Sequence, residues 1–352
     1  MTPQTVDVLL VSLGTTRGLR IADGQLADLL RQAGASVAVV GVRIGAGDLL
    51  RRGYPLNDIV EAIAACRALG QALRRYAPRS IVFSSTTAAL LARPPADIPY
   101  AVWLDSPARL NRAGQASAVL HPFERRQLAR ARLVLTWSPT AAAELPLGAA
   151  PSVVVSPPIP VAPVTTEVAR EPVVVAYTPD PKAKGLQLLC AAWGQAELPG
   201  ARLVISGISR DRAVDFLARR GVRLPPAAEL VGMLPQPSFR GLLDRARVFV
   251  SAAEWEDFGI APLEALDRGA ALVSAPAGGP FPALAIARDL AARFVAPDRE
   301  PESLAAALRA ALDAPETELA AYRQSARARL EIYRPAAQVR RLRDEVLPAL
   351  LH

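Results

Sequence analysis

Residues 248–274 read VFVSAAEWEDFGIAPLEALDRGAALVS, and the order of residue types in that stretch decides the fold. A β-branched run ends near Ser251, a glycine-containing loop follows, and Pro262 suits the first position of a helix, where the N–H it lacks has no partner anyway. Ala271–Ser274 then reads as a second strand. Strand, loop, helix and strand in immediate succession make a βαβ unit, which forces the strands to run parallel. Glu264 is expected in the first helical turn, where the helix dipole favours a carboxylate. The amides of about Gly259 to Leu263 become free donors at a helix N-terminus, a ready anion site. A loop carboxylate (Glu256), exposed amides and a first-turn carboxylate (Glu264) suit a ligand with hydroxyls at both ends and a diphosphate between them. Spacing alone equally fits two capping and surface glutamates.

The same alternation extends in both directions. Upstream, strands are expected at Val6–Leu13, Ser36–Val42, Ser80–Ser84, Tyr100–Leu104 and Leu133–Trp137, with amphipathic helices such as Asp23–Ala33 and Leu56–Tyr76 between them. The stretch Pro151–Pro172 holds six prolines, favours extended chain and cannot continue a helix. A second set follows, with strands at Val173–Tyr177, Arg202–Ser206, Leu230–Met233, Val248–Ser251 and Ala271–Ser274. Its helices are Gly185–Gln195, Asp211–Arg219, Phe239–Ala246 and Pro262–Arg268. The expected fold is α/β, with two doubly wound Rossmann-like domains and a ligand cleft between the carboxyl ends of their sheets. The boundaries are 1–158 for the first domain, 159–172 for a Pro-rich linker and 173–334 for the second, with a C-terminal amphipathic helix at 335–352 packing back on the first.

Composition narrows the function classes. At 352 residues the chain exceeds one typical core, and 51% of it is apolar, enough to fill two. Cys66 and Cys190 are isolated, and His121 and His352 are the only histidines, which excludes a disulfide framework and a histidine-based zinc site. Met1–Thr5 runs straight into a strand, and the charge-free run Gly269–Ala287 is broken by three prolines, so neither a signal peptide nor a membrane span is expected. The net charge of +8 is uneven, since residues 1–160 carry 17 Arg against 10 acidic residues. A basic first half suits a phosphorylated acceptor or an anionic lipid surface, and equally suits an Arg-rich solvated face. A cytoplasmic protein is expected, with peripheral contact at the inner face of the membrane and no nucleic-acid partner.

Further groups stand out by type and position. The chain has 39 Arg but only two Lys, Lys182 and Lys184, both in the Pro179–Gly185 loop ahead of a helix. An ammonium is a compact charge suited to a phosphate leaving group. Ser12–Arg20 follows the first strand and holds Gly14, Arg17 and Arg20, without a P-loop or GxGxxG spacing. Asp105 ends the fourth strand beside Ser106, Arg109, Asn111 and Arg112, where a carboxylate could orient an acceptor, transfer a proton or cap the next element.

Glu256-x7-Glu264 enclosing Phe258-Gly259, then Glu264-Ala-Leu-x-x-Gly269, resembles the E-x7-E segment of retaining GT-B glycosyltransferases of family 4, the group 1 transferases. Five further stretches are similar in the same order: Lys184-Gly185-Leu186, Leu203–Gly207, Gly232-Met-Leu-Pro with Ala246–Ser251, Gly278-Gly279, and Val295-x-Pro297-Asp298. The resemblance covers most of the second domain. It implies transfer of a sugar from a nucleoside-diphosphate donor to an acceptor hydroxyl with retention, the first domain bringing the acceptor and hinge closure excluding water. Glu256 would meet the donor sugar, Glu264 the ribose, Lys182 and Lys184 the diphosphate, and Phe258, Gly259, Ile260 and Gly14 the phosphates or sugar. Arg17, Arg20, Arg109, Asn111 and Arg112 fall on the acceptor side, with Glu256 and Asp105 as the catalytic candidates. No Asp-x-Asp pair occurs, so no metal is expected, nor any cofactor beyond the donor. The chain departs from the family pattern in two places. Tyr177, Thr178, Pro179 and Asp180 stand where the family has an Arg ahead of the Lys, and Asp105 stands where it often has a His. Those departures keep a nucleotide-sugar epimerase and a non-catalytic sugar-nucleotide-binding or scaffold protein open as alternatives.

Overall fold

The computed structural model describes residues 3–44, 53, 55–112, 118–162, 170–226 and 228–352, with the side chain of Arg17 also outside the description. Half of the Pro-rich linker, 163–169, therefore lies outside the described residues. The chain divides into two compact units, Met1–Pro158 with Tyr333–His352, and Ile159–Ile332.

Unit 1 is built on β1 (Gln4–Ser12), β2 (Val37–Gly41), β3 (Tyr76–Phe83), β4 (Tyr100–Leu104), β5 (Leu133–Thr136) and β6 (Ser152–Val154). They form one parallel sheet in the order β2-β1-β3-β4-β5-β6. Val8 to Val11, Ile81 to Phe83 and Ala101 to Trp103 are fully buried, as strands covered on both faces must be. The sequence pattern hides β6. It is a three-residue edge strand just after Pro151, where a residue without an N–H is tolerated because one side of the ladder is unpaired. The C-terminal segment runs as helix Pro335–Arg341, a π-helical turn Leu342–Val346 and helix Leu347–Leu351. It is fixed to this unit: Gln338 Oε1 accepts from the Ser156 amide at 2.9 Å, and Arg341 donates to Val154 O at 2.8 Å.

Unit 2 carries β7 (Glu171–Tyr177), β8 (Arg202–Ser206), β9 (Ala228–Gly232), β10 (Ala246–Ser251) and β11 (Ala271–Ser274), parallel in the order β11-β10-β7-β8-β9. Strand order reverses between β7 and β10. At such a switch point the loops leaving the two strands diverge and open a crevice at their carboxyl ends. The loop after β7 holds both lysines, and the loop after β10 holds Glu256.

The structure corrects one local expectation. The helix after β10 spans Ile260–Asp267, so it starts two residues before Pro262, and Glu264 falls in its second turn rather than its first. Gly259 closes the first turn by accepting from the Leu263 amide at 3.1 Å. Pro262 still sits where no intrahelical N–H is needed, since the first-turn amides have no carbonyl four residues back.

Candidate functional site

Asp180 organises the loop after β7 by accepting from the amides of Lys182 and Ala183 at 2.9 and 3.0 Å through Oδ1. This turn delivers Lys184 inward and leaves Lys182 exposed. Gly185 ends it with φ +64°, and helix Leu186–Ala196 begins. A side chain at 185 is impossible without movement, because a Cβ there would lie 1.9 Å from Ala252 O. That close approach joins the β7 and β10 loops, and the Glu254 amide donates to Ala183 O at 3.2 Å across the same seam.

The loop after β10 is tied on its other side to the loop after β11. Glu256 N donates to Gly278 O at 3.1 Å and Gly278 N to Glu254 O at 3.0 Å. Gly279, with φ +89°, leaves no room for a Cβ, which would stand 2.5 Å from Glu256 O. Arg299 fastens the bundle, its guanidinium donating to the carbonyls of Ala252, Ala253 and Pro276 at 2.7 to 2.9 Å. Three loops thus form one hydrogen-bonded platform beneath Glu256.

Lys184 Nζ meets Glu256 Oε2 on this platform at 2.6 Å. Their side chains are 25% and 15% exposed, so water screens the pair weakly. Burial pushes the Glu256 carboxyl above the usual carboxylate range, and the Lys184 ammonium pulls it back part of the way. Phe258 is buried, Gly259 is the boundary residue of the following helix, and Ile260 is its first residue. The Ile260 and Ala261 amides are first-turn donors with no intrahelical acceptor. Glu264 is buried to 8% exposure and accepts from Arg240 at 2.9 Å, an ion pair between neighbouring helices. Arg240 escapes sequence reasoning because it is one arginine among 39. The available signal is its place on helix Gln236–Arg245, which packs beside the Glu264 helix. Arg212 Nη1 lies 3.5 Å from Pro179 O, beside the loop that lacks the upstream arginine.

In unit 1 the candidates separate into two places. Gly14 follows β1, and Arg20 Nη1 returns to its carbonyl at 2.9 Å. Helix Arg17–Gln32 starts at Arg17. A buried carboxylate that sequence reading passes over lies below this loop: Asp23 Oδ2 accepts from Ser12 Oγ and, at 3.0 Å, from Ser84 Oγ. Ser84 Oγ in turn accepts from the Leu13 amide at 2.9 Å, so Asp23 joins the carboxyl ends of β1 and β3. Burial raises the Asp23 carboxyl to about 6, against the lowering effect of the two hydroxyls. Its only sequence signal is an acid within a helix whose neighbours are apolar.

Asp105 follows β4 and accepts the Ser106 amide at 2.8 Å. The next helix, Ala108–Asn111, is capped by Glu124, whose Oε1 accepts from the Ala108 amide at 2.9 Å, so Asp105 is not its cap. Arg109 pairs with Glu144 at 2.5 Å, Arg112 with Asp58 at 2.8 Å, and Arg112 also donates to Asn111 at 3.2 Å. No group of three or more possible metal ligands occurs among the described residues, and none of their helices is long and apolar enough to cross a membrane.

Residues 163–329 match the family described as "Glycosyl transferases group 1", which identifies unit 2 as a group 1 glycosyl transferase domain. No curated protein matches the sequence. Solved structures similar to this chain include glycosyltransferases. HepE of Anabaena, in complex with UDP-glucose, is 17% identical with TM-score 0.71, covering 98% of this chain and 100% of its own. Sucrose-phosphate synthase from Thermosynechococcus elongatus is also 17% identical at TM-score 0.71, with 96% and 97% covered. The pneumococcal O-GlcNAc transferase GtfA, in complex with UDP and GlcNAc, is 14% identical at TM-score 0.63, covering 81% of this chain. The chain spans 60% of the length of GtfA and 53% of that of S. aureus TarM. The fold is GT-B.

Proposed function

We propose that this chain is a glycosyltransferase that moves a sugar from a nucleoside-diphosphate donor to an acceptor hydroxyl, with retention at the anomeric carbon and without a metal ion. The observation that carries the reading is the Lys184–Glu256 pair at the switch point of unit 2, one helix away from Glu264. A donor laid along these groups places ribose hydroxyls at Glu264 and the diphosphate at Lys184 and the Ile260 and Ala261 amides. Its sugar hydroxyls then lie at Glu256. When the anomeric C–O bond breaks, negative charge develops on the diphosphate, and an ammonium with two fixed amides stabilises it without reorganising. Glu256 then faces the positive charge developing on the sugar ring. Lys182 on the same loop and Arg212 beside Pro179 O supply the second cation in place of the missing upstream arginine.

Unit 1 presents the acceptor side, with Arg20 on the helix after β1 and Asp105 for acceptor orientation or proton transfer, while Gly14 on the loop after β1 faces the donor phosphates. Its excess of arginine favours a phosphorylated or membrane-associated acceptor. HepE and GtfA are seen with UDP-glucose and with UDP and GlcNAc, which makes UDP-sugars the first donors to try.

The test is Glu264→Ala. It removes the ribose acceptor and leaves Arg240 unpaired, so donor affinity is expected to fall by about 10- to 100-fold, the worth of about one hydrogen bond to a charged group. Wild-type affinity and turnover in that variant would refute the site. Incubation with UDP-, GDP- and ADP-sugars checks the reaction itself. Slow donor hydrolysis without acceptor supports transfer, interconversion of the donor supports an epimerase, and binding without turnover supports a non-catalytic protein.

A further inference from the structure

Unit 1 holds a groove of about 1120 Å³ between the 90–100 segment and helix His121–Arg130. It lies at the amino ends of β4 and β5, the end of the sheet opposite Asp105 and the Gly14 loop. Arg93, Arg126, Arg130 and Arg132 line it, and no aspartate or glutamate does. Elsewhere in this unit, Arg31, Arg79, Arg109 and Arg112 each pair with a carboxylate. Arg93, Arg126 and Arg130 have no ion-pair partner among the described residues. An Arg-rich composition accounts for arginines on a surface; it does not account for four of them around one groove with no counter-charge.

The rim is also apolar. Phe123 is 49% exposed and Val119 58% exposed, at and just before the start of the same helix. Phe123, Arg126 and Arg130 stand at i, i+3 and i+7, so they share one face. Glu124, the acidic residue on that helix, turns inward to the Ala108 amide. Guanidiniums beside exposed aromatic and aliphatic side chains suit a boundary where phosphates lie next to hydrocarbon.

We propose that this groove and the exposed face of helix His121–Arg130 dock unit 1 on an anionic phospholipid surface. The guanidiniums take lipid phosphodiesters, and Phe123 and Val119 enter the acyl boundary. The proposal deepens the membrane reading of the basic unit given above, and it stands independently of sugar transfer.

Co-sedimentation of the full chain with phosphatidylcholine vesicles, with and without a quarter phosphatidylglycerol, tests it. Wild type is expected to partition onto the anionic vesicles only and to leave them at high salt. Arg126→Gln/Arg130→Gln should lower partition by about 25-fold, at about fivefold per guanidinium. Phe123→Ser should weaken binding without changing its salt dependence. Equal binding by the double variant, equal binding to pure phosphatidylcholine, or no binding by wild type overturns the proposal. Inorganic phosphate is the second probe. If it stabilises wild type but not the double variant while vesicles are ignored, the groove is a soluble-anion site and membrane docking is overturned. The thermal shift with UDP, read on the same variants, belongs to unit 2. Its loss in wild type would count against the donor site, and its retention in the variants shows that they are folded.

Discussion

At the scale of single residues, burial makes Lys184 and Glu256 dependent on each other. Removing one partner of a buried pair costs about 3–5 kcal/mol, because the other charge is left desolvated. Lys184 keeps a quarter of its side chain in water, so a smaller loss of about 1–3 kcal/mol is expected from Lys184→Met. The pH dependence identifies the cause. Without the ammonium, the Glu256 carboxyl rises further above its unfolded value, and the folded state binds the proton more tightly than the unfolded chain does. The stability deficit should therefore be small at acidic pH and grow as pH rises through the folded value. Adding Glu256→Gln to Lys184→Met should recover most of the loss at neutral pH. A deficit that ignores pH, or that the second change leaves in place, would contradict the electrostatic account. Asp23 offers a parallel test in unit 1. Its carboxyl moves from 3.8 in the unfolded chain to about 6 when folded, so its own contribution to stability is fully present below about 4 and is lost as pH rises through about 6. A rise of that size corresponds to at most about 3 kcal/mol. Asp23→Asn keeps an acceptor for Ser12 and Ser84 and removes the ionisation, so thermal melts of the variant should lose that slope and gain on wild type at pH 7.

At the scale of elements, the site depends on loops that approach more closely than side chains allow. Gly185→Ala would place a methyl 1.9 Å from Ala252 O and hold a non-glycine residue at φ +64°. The left-handed conformation alone costs about 1–2 kcal/mol, and relief of the clash must part the β7 loop from the β10 loop. Expected are a melting temperature several degrees lower and weaker donor binding together, since Lys184 moves with its loop. A variant that melts early yet binds donor as wild type does would mean that the seam is structural only. The same packing explains what can be read from the sequence. Tyr100–Leu104, Arg202–Ser206 and Ala271–Ser274 are bounded correctly because they are buried on both faces and stop where polar or glycine-containing loops begin. Glu256 and Glu264 are legible because a loop and a helix start set their spacing locally. The early start of the Glu264 helix is hidden, because Gly259 closes the first turn with a backbone carbonyl that no residue pattern announces. Arg240 and Asp23 are hidden for a related reason. Each acts through a contact remote in sequence, 24 residues away for Arg240 and 11 and 61 away for Asp23.

At the scale of the whole molecule, the chain leaves unit 1 at Pro158 and comes back at Tyr333, so the last residues belong to the first-built sheet. Gln338 is fully buried with its side chain on the Ser156 amide, Leu342 and Val346 are fully buried, and Leu350 is 1% exposed. Arg79 and Arg132 donate to the carbonyls of Leu351 and Ala349 at 2.9 and 3.0 Å. Ending the chain after Ile332 therefore strips apolar cover and hydrogen-bond partners from unit 1 and none of these from unit 2. Two-domain chains need not melt in one step, and a ligand raises only the stability of the structure that binds it. UDP at 100 times its dissociation constant should stabilise unit 2 by about 2.7 kcal/mol. Calorimetry of the shortened chain should then show an early transition that UDP does not move and a later one that it does. Hydrogen exchange should place the early loss of protection in β1, β3 and β5 and the UDP-dependent gain in β7 and β10. If shortening abolished the response to UDP, the C-terminal segment would have to support the donor site directly, and the assignment of that site to unit 2 alone would fail.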